Sequence, residues 1–283
     1  LTGWGPDVGR GALKAAAIQM SSLGDKDANL LKAAHLVKEA KTAGARLVLL
    51  PEYFNCYDSL EVMSKQAEPI PGRTCQFMAD LARKWRLYLC GTILVKVSAN
   101  KIYNTALLFA PTGDLLGRYR KIHLFNVSLP GLNYQESRYI LPGRRLALMD
   151  VEGFRTALAI CFDLRFPGLF QTLASRGADL FLLPSASTAT TSRDHWEPLL
   201  KARAIENQCY VVTANQFGRH PNGVTTFGHS LIINPWGQVM SGVLKGEGVA
   251  VASMDIGFLR EVRKKIPLYG DFTLCRGERR EAR

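Results

Sequence analysis

Cys161 closes a run of small and apolar residues, Thr156 to Ile160, and is followed by Asp163, Arg165 and Pro167 in RTALAICFDLRFP. A buried strand that stops where polar residues begin delivers a side chain at the tip of a sheet, a place from which a nucleophile meets substrate. The segment Phe166 to Ser175 has helical spacing, so Cys161 is expected near a helix N-terminus, where the dipole favours a thiolate. A solitary free cysteine is more often a buried structural thiol. That reading is assigned to Cys56, Cys75, Cys90, Cys209 and Cys275; Cys161 departs from it only if partners exist elsewhere in the chain.

Two candidate partners do. In GARLVLLPEYFN the apolar run Leu47 to Leu50 predicts a strand covered on both faces, Pro51 ends it, and Glu52 sits at its tip. Most glutamates are solvated. One flanked by Pro51, Tyr53 and Phe54 would be partly desolvated, which raises its pKa toward that of a useful base. In GRYRKIHLF, Lys121 stands among basic residues and would ordinarily be an exposed charge, but Ile122, Leu124 and Phe125 point to a buried ammonium.

The segments PEYFN, YRKIHLF and AICFDLRFP, in that order, resemble the nitrilase (carbon–nitrogen hydrolase) superfamily. The resemblance extends roughly from Lys14 to Leu268, through NYQES around Glu136, LLPSA around Ser185, DHWEPLLKARAIENQCYVV from Asp194 and GHSLIINPWG from Gly228. It implies a Glu–Lys–Cys triad with Glu52 as general base, Lys121 as the lysine and Cys161 as nucleophile, and Glu136 as a supporting carboxylate. It implies no cofactor and no metal.

Chemistry fits those residue types. A carboxamide is a poor electrophile, a thiolate is a good nucleophile near neutral pH, and a glutamate can accept the thiol proton. The tetrahedral oxyanion is stabilised by a fixed ammonium and a backbone N–H, here Lys121 and the amide of Phe162. Protonated Glu52 then donates to the departing amine, and a thioester remains for water to hydrolyse. After the nucleophile this chain has Phe162-Asp163, where sequences acting on nitriles carry Trp-Glu; it resembles the amidase branch, closest to amidases of deaminated glutathione and of the ω-amides of 2-oxo acids. The expected substrate is a small carboxylate-bearing amide, with Arg165, Arg193, Arg203 or Arg219 as carboxylate holders, though surface or structural ion pairs account equally for each. The alternatives are an N-carbamoyl amino acid or aliphatic-amide hydrolase, and a catalytically silent interaction protein.

These groups need a scaffold, and the chain repeats itself faintly. AAAIQ (15–19) parallels ALAIC (157–161), GARLVLLPE (44–52) parallels GADLFLLPS (177–185), LYLCGTILV (87–95) parallels CYVVTANQF (209–217), and NTALLFAPTGDLLG (104–117) parallels HSLIINPWGQVMSG (229–242). Two halves of strand, helix, strand, helix, strand and hairpin predict an α/β fold, a four-layer α-β-β-α sandwich with an internal pseudo-two-fold repeat. Glu52 then corresponds to Ser185, and Cys161 to Gln19 or Met20. Tyr53, Ser185, Ala186 and Ser187 are expected on the pocket wall. Helices are predicted over 29–42, 74–85 and 194–206, the last with an acidic N-cap at Asp194 and Pro198 near its first turn. The stretch 126–144, with Pro130, Gly131 and Gly143, reads as a long functional loop carrying Glu136.

Composition sets the bounds. The 283 residues are 47% hydrophobic, enough for a sizeable core. No Pro/Ser/Gly-rich linker divides them, so residues 12–272 read as one domain, followed by a basic tail, 273–283. No apolar run reaches membrane-span length, residues 1–11 lack the apolar stretch of a secretory signal, and six cysteines without framework spacing fit a cytoplasmic enzyme. The histidines lack zinc-site spacing; His123 and His229 adjoin site-like segments and read first as structural. A net charge of +12 raises nucleic acid or membrane binding, but the excess near Arg260 to Lys265 and in the tail is a basic helix and tail without interleaved aromatics. The expected partners are therefore a small amide and water, not nucleic acid or membrane. Ile266 to Phe272 (IPLYGDF) resembles a segment that crosses to a partner subunit in relatives, which implies a homodimer or larger homo-oligomer.

Overall fold

The structure, a computed structural model, describes residues 12–130 and 132–268. Its frame is a pair of six-stranded sheets. The first runs β16 (Gly248–Met254), β1 (Leu13–Gln19), β2 (Leu47–Leu49), β3 (Tyr88–Ser98), β4 (Lys101–Phe109), β5 (Leu115–Arg120). The second runs β15 (Val239–Val243), β14 (Ser230–Ile233), β11 (Tyr210–Asn215), β10 (Leu180–Ser185), β9 (Phe154–Leu158), β8 (Leu148–Val151). Strands β1, β2 and β3 are mutually parallel, as are β9, β10 and β11. In each sheet the next two strands return antiparallel. The predicted repeat is thus present strand by strand.

Burial explains the continuous apolar runs. Leu47, Leu49 and Leu108 of one sheet meet Leu158, Leu182 and Val212 of the other in a core between the sheets. On the outer face of the first sheet, Val48 and Leu89 pack under α1 (Lys26–Thr42) and α3 (Arg73–Trp85). On the second, Phe181 and Val211 pack under α4 (Pro167–Ser175) and α5 (Ala189–Asn207). Both faces of each central strand are covered, so the strands carry no polar alternation. The result is the α-β-β-α sandwich.

The register settles the symmetry. Ala15 lies opposite Leu47 and Thr156 opposite Leu180. Matching Leu47 to Leu180 matches Glu52 to Ser185 and Met20, rather than Gln19, to Cys161. Two edge strands fall outside the repeat: β8 adds antiparallel to β9, and β16 leaves the second sheet after β15 to pair with β1 of the first.

The helices depart from expectation mainly at their N-termini. The Asp25 side chain accepts from the Ala28 N–H (3.1 Å) and starts α1 three residues before the apolar pattern. Helix α5 begins at Ala189, not at Asp194, which puts Pro198 in its interior. Burial of Ser192, Trp196, Leu200, Arg203 and Ala204 along one face holds the helix through the proline. The stretch 126–144 is not a plain loop: β6 (Asn126–Leu129) and β7 (Leu132–Gln135) form a hairpin ending in a 3₁₀ turn at Glu136–Arg138. A second hairpin joins β12 (Phe217–Arg219) to β13 (Thr225–Phe227). The short α2 (Leu60–Lys65) follows the Glu52 turn, and α6 (Ile256–Lys265) closes the described chain. Residues 269–272 of the IPLYGDF segment and the tail 273–283 lie outside the described residues.

Candidate active site

Glu52, Lys121, Glu136 and Cys161 converge at the shared end of the two sheets. Glu52 sits on the turn after β2, where its N–H donates to the Ser185 carbonyl across the sheet boundary (3.2 Å). Gln216 donates to the Glu52 carbonyl (2.9 Å), and the Ala186 N–H donates to Glu52 Oε2 (2.9 Å). The next residue, Tyr53, is left-handed (φ 58°) and is held by Thr92 Oγ1 at its N–H (3.0 Å). Lys121 follows β5 directly and donates its backbone N–H to the Asn104 carbonyl (2.9 Å). Its Nζ lies 2.9 Å from Glu52 Oε1 and 2.9 Å from Glu136 Oε2. The side chains of Glu52, Lys121 and Glu136 are only 1%, 2% and 0% exposed. One buried cation therefore bridges two buried carboxylates, an arrangement affordable only because further hydrogen bonds satisfy the oxygens. Glu136 receives Tyr53 OH (2.7 Å) and the Phe125 N–H (2.6 Å).

Cys161 opens the 3₁₀ turn Cys161–Arg165 in a left-handed conformation (φ 46°), a strained backbone that lifts its side chain from the end of β9. Asp163 braces this turn. Its carboxylate accepts the Ile160 N–H (2.9 Å), Tyr119 OH (2.8 Å) and the His123 N–H (3.0 Å), and contacts His123 Nδ1 (2.7 Å). The cysteine turn and the segment after Lys121 are thereby tied to one anion. His123 also stacks on Phe166, with ring centroids 3.6 Å apart.

Electrostatics set the resting protonation. Burial raises the Glu52 carboxyl above the ordinary carboxylate range; the Lys121 charge opposes this and Glu136 adds to it. Burial works against the Lys121 ammonium, but Glu136 and Glu52 outweigh it and hold the lysine charged, with its pKa well above the usual value. Burial and then the Glu52 charge push the Cys161 thiol well up. Both act toward the thiol form, and the helix terminus expected to favour a thiolate stands off, since α4 starts only at Pro167.

The cavity has two lobes that share Phe125, Cys161, Ala186 and Thr188. The inner lobe, about 280 Å³, is walled by Glu52, Lys121, Glu136 and the tyrosines Tyr53, Tyr57 and Tyr134. The outer lobe, about 410 Å³, is walled by Phe162, Arg165, Thr191, Ser192, His195 and Trp196. Tyr53 and Ala186 line the cavity; Ser185 does not. Its hydroxyl turns to the Leu183 carbonyl (3.3 Å), and its own carbonyl serves Glu52 and Gln216. Among the four arginines, Arg165 alone reaches the cavity wall, where it contacts His195 Nδ1 (3.2 Å). Arg203 is buried on the Leu164 carbonyl (3.0 and 2.8 Å) and Glu206, whereas Arg193 and Arg219 are exposed.

Sequence reasoning missed Asn104. Its amide nitrogen lies 2.7 Å from Glu52 Oε1, 2.8 Å from Tyr53 OH and 3.3 Å from Glu136 Oε1, at the centre of the cluster. The signal was an asparagine opening the repeated segment 104–117. Among the described residues no group of three or more His, Cys, Asp or Glu is placed to hold a metal ion, and no helix is long and apolar enough to cross a membrane.

The profile of the carbon-nitrogen hydrolase family matches residues 14–264. The chain is 37% identical to an omega-amidase NIT2 of Homo sapiens over 259 residues, 91% of this chain and 94% of that protein. It is 39% identical to the Danio rerio omega-amidase NIT2 over 254 residues, 89% of this chain and 92% of that one. Among solved structures, Saccharomyces cerevisiae Nit3, a member of branch 10 of the nitrilase superfamily, superposes with a TM-score of 0.84 at 30% identity, covering 93% of this chain and 97% of that chain. The chain belongs to the carbon–nitrogen hydrolase (nitrilase) family. It is an amidase, a hydrolase of carbon–nitrogen bonds.

Proposed function

We propose that this amidase is a cysteine-dependent ω-amidase that releases ammonia from a small amide bearing a carboxylate. The observation that carries the reading is the Lys121 ammonium bridging Glu52 and Glu136 at 2.9 Å each beside the Cys161 rim of the cavity.

Glu52 takes the thiol proton as Cys161 Sγ attacks the carboxamide carbon. Lys121 Nζ and the Phe162 N–H receive the oxyanion. The C–N bond breaks as Glu52 returns the proton to nitrogen, and ammonia leaves a thioester. Water then attacks the thioester while Glu52 accepts its proton, and Cys161 departs and regains that proton as the acid is released. A glutamate serving in turn as base and acid needs a pKa raised toward neutrality, which burial supplies. Glu136 and Asn104 hold the lysine and the base in register.

The outer lobe favours a carboxylate-bearing tail. Beyond Cys161 it offers the Arg165 guanidinium with Thr191 and Ser192 on an otherwise apolar wall. The omega-amidase relatives support the same class. The test is ammonia release from 2-oxoglutaramate, deaminated glutathione, an N-carbamoyl amino acid, an aliphatic amide and a nitrile, with Cys161→Ala alongside. Turnover of an ω-amide that vanishes in the variant is the expected result. Turnover of carbamoyl compounds or nitriles alone overturns the substrate, and full activity in Cys161→Ala overturns the mechanism.

A further inference from the structure

We infer that the arginine groove on the outer face of the first sheet, at its β5 edge, binds an anion carrying several phosphate groups. Arg118, Arg120, Arg144 and Arg145 wall a cavity of about 1190 Å³ together with Tyr103 and Leu141. Each guanidinium is permanently charged and presents a planar fork of donors matched to phosphate oxygens. Several other arginines do meet a carboxylate: Arg46 with Glu152, Arg83 with Asp80, Arg203 with Glu206 and Arg263 with Asp179. Among the described residues no carboxylate pairs with any of the four groove arginines. Four like charges around one cavity repel one another, and a multivalent anion relieves that repulsion where a monocarboxylate would not.

The groove is also built to hold its shape. Arg120 lies over the Tyr103 ring, 4.0 Å from its centroid, which fixes the guanidinium. Leu141 donates to the Ile102 carbonyl (2.8 Å) and Gly143 to the Lys121 carbonyl (2.7 Å), so the 141–145 loop is stitched to the ends of β4 and β5. Any side chain at Gly143 would strike the Arg120 carbonyl, so the loop needs glycine there to approach this closely. Tyr103 and Arg120 directly precede Asn104 and Lys121, and successive strand residues face opposite ways. The groove is therefore the reverse side of the strand ends that carry the amidase site. Arg120 is the donor held in place, and a fixed donor loses little entropy on binding.

The experiment is calorimetric titration of the whole chain with inorganic tripolyphosphate at near-physiological salt, with citrate as a carboxylate comparison. The expected result is one tripolyphosphate per chain, bound more tightly than citrate. Arg144→Gln/Arg145→Gln weakens it by about tenfold or more, while Lys38→Gln/Lys264→Gln, which removes the same charge from exposed sites, leaves it within about threefold. Amide turnover unchanged in both variants shows that they fold. A parallel sedimentation arm with phosphatidylcholine vesicles carrying a phosphorylated inositol lipid separates the sources of the same chemistry: vesicle binding lost in the arginine variant assigns a membrane headgroup, and its absence assigns a free phosphate ligand. Equal weakening by both variants, many anions per chain or equal affinity for citrate would overturn the inference.

Discussion

Glu136→Gln separates the charge of the supporting carboxylate from its shape. Glutamine is nearly isosteric: its single carbonyl oxygen can keep the Phe125 N–H, 2.6 Å from one carboxylate oxygen, while its NH2 takes the place of the other and donates to Tyr53 OH, 2.7 Å away, whose hydroxyl turns to accept. What disappears is one of the two anions 2.9 Å from Lys121 Nζ, in a site where the lysine is 2% exposed. Removing one partner of a buried charge cluster costs roughly 3–5 kcal/mol; because Glu52 remains paired to the lysine, the loss is smaller, about 2–3 kcal/mol of transition-state stabilisation. That corresponds to about 30- to 150-fold in kcat/KM. The pH profile carries a second signature. The Glu136 charge is among the causes that raise the Glu52 pKa, so neutralising it lowers that pKa. A base with a lower pKa stays ionised further into acid, so the acid limb of kcat/KM moves to lower pH even as the plateau falls. Steady-state ammonia release across the acid range, with circular dichroism to show an intact fold, measures both. A plateau drop with an acid limb moved to higher pH, or no drop at all, would refute the coupling of Glu136 to Lys121 and Glu52.

Other consequences follow from named contacts. Arg165→Ala should raise KM for carboxylate-bearing amides by about tenfold or more and change a neutral aliphatic amide far less; equal effects on both would remove Arg165 from substrate binding. His220 is buried and neutral, its Nδ1–H donating to the Ser22 carbonyl (2.8 Å) and its Nε2 accepting from Thr226 Oγ1 (2.7 Å), and burial lowers its pKa to about 4. A depressed folded-state pKa means the unfolded chain binds the proton first, so this contribution is complete above about pH 6.5 and is lost as pH falls toward 4, about 3 kcal/mol in all. Urea unfolding of wild type and His220→Gln across that window should show a shallower pH slope in the variant; identical slopes would discard this origin. Separately, the resemblance of Ile266 to Phe272 to a segment that crosses between subunits implies a homodimer or larger assembly at micromolar concentration, and a monomer mass in analytical ultracentrifugation would contradict it.

The convergence at the site was legible wherever a residue sat at the end of a patterned element. Glu52 and Cys161 each close a continuous apolar strand, and Lys121 stands against an apolar flank, so their tips could be placed without coordinates. Asn104 was not visible because its role depends on β4 register: one step along the strand, Tyr103 faces the arginine groove instead. The hairpin β6–β7 was hidden because its alternating runs, Asn126 to Leu129 and Leu132 to Gln135, are only four residues each and flank Pro130-Gly131, which reads as loop. The start of α5 was misplaced because an acidic residue ahead of a proline looks like a cap, whereas burial of Ser192 and Trp196 extends the helix beyond it. Strand β16 lies outside the repeat, and its edge position follows from a chain crossing that local periodicity does not encode, whereas β8 joins β9 through the tight turn at Glu152–Gly153.

The central claim is that Cys161 carries the acyl group of the amide. Rapid acid quench during turnover of 2-oxoglutaramate, followed by intact-protein and peptide mass spectrometry, tests it directly. The account predicts a transient adduct equal in mass to the substrate less ammonia, located on the peptide containing Cys161 and missing in Cys161→Ala. Steady turnover with no adduct on Cys161, together with a Cys161→Ser protein that keeps most of its activity, would contradict it.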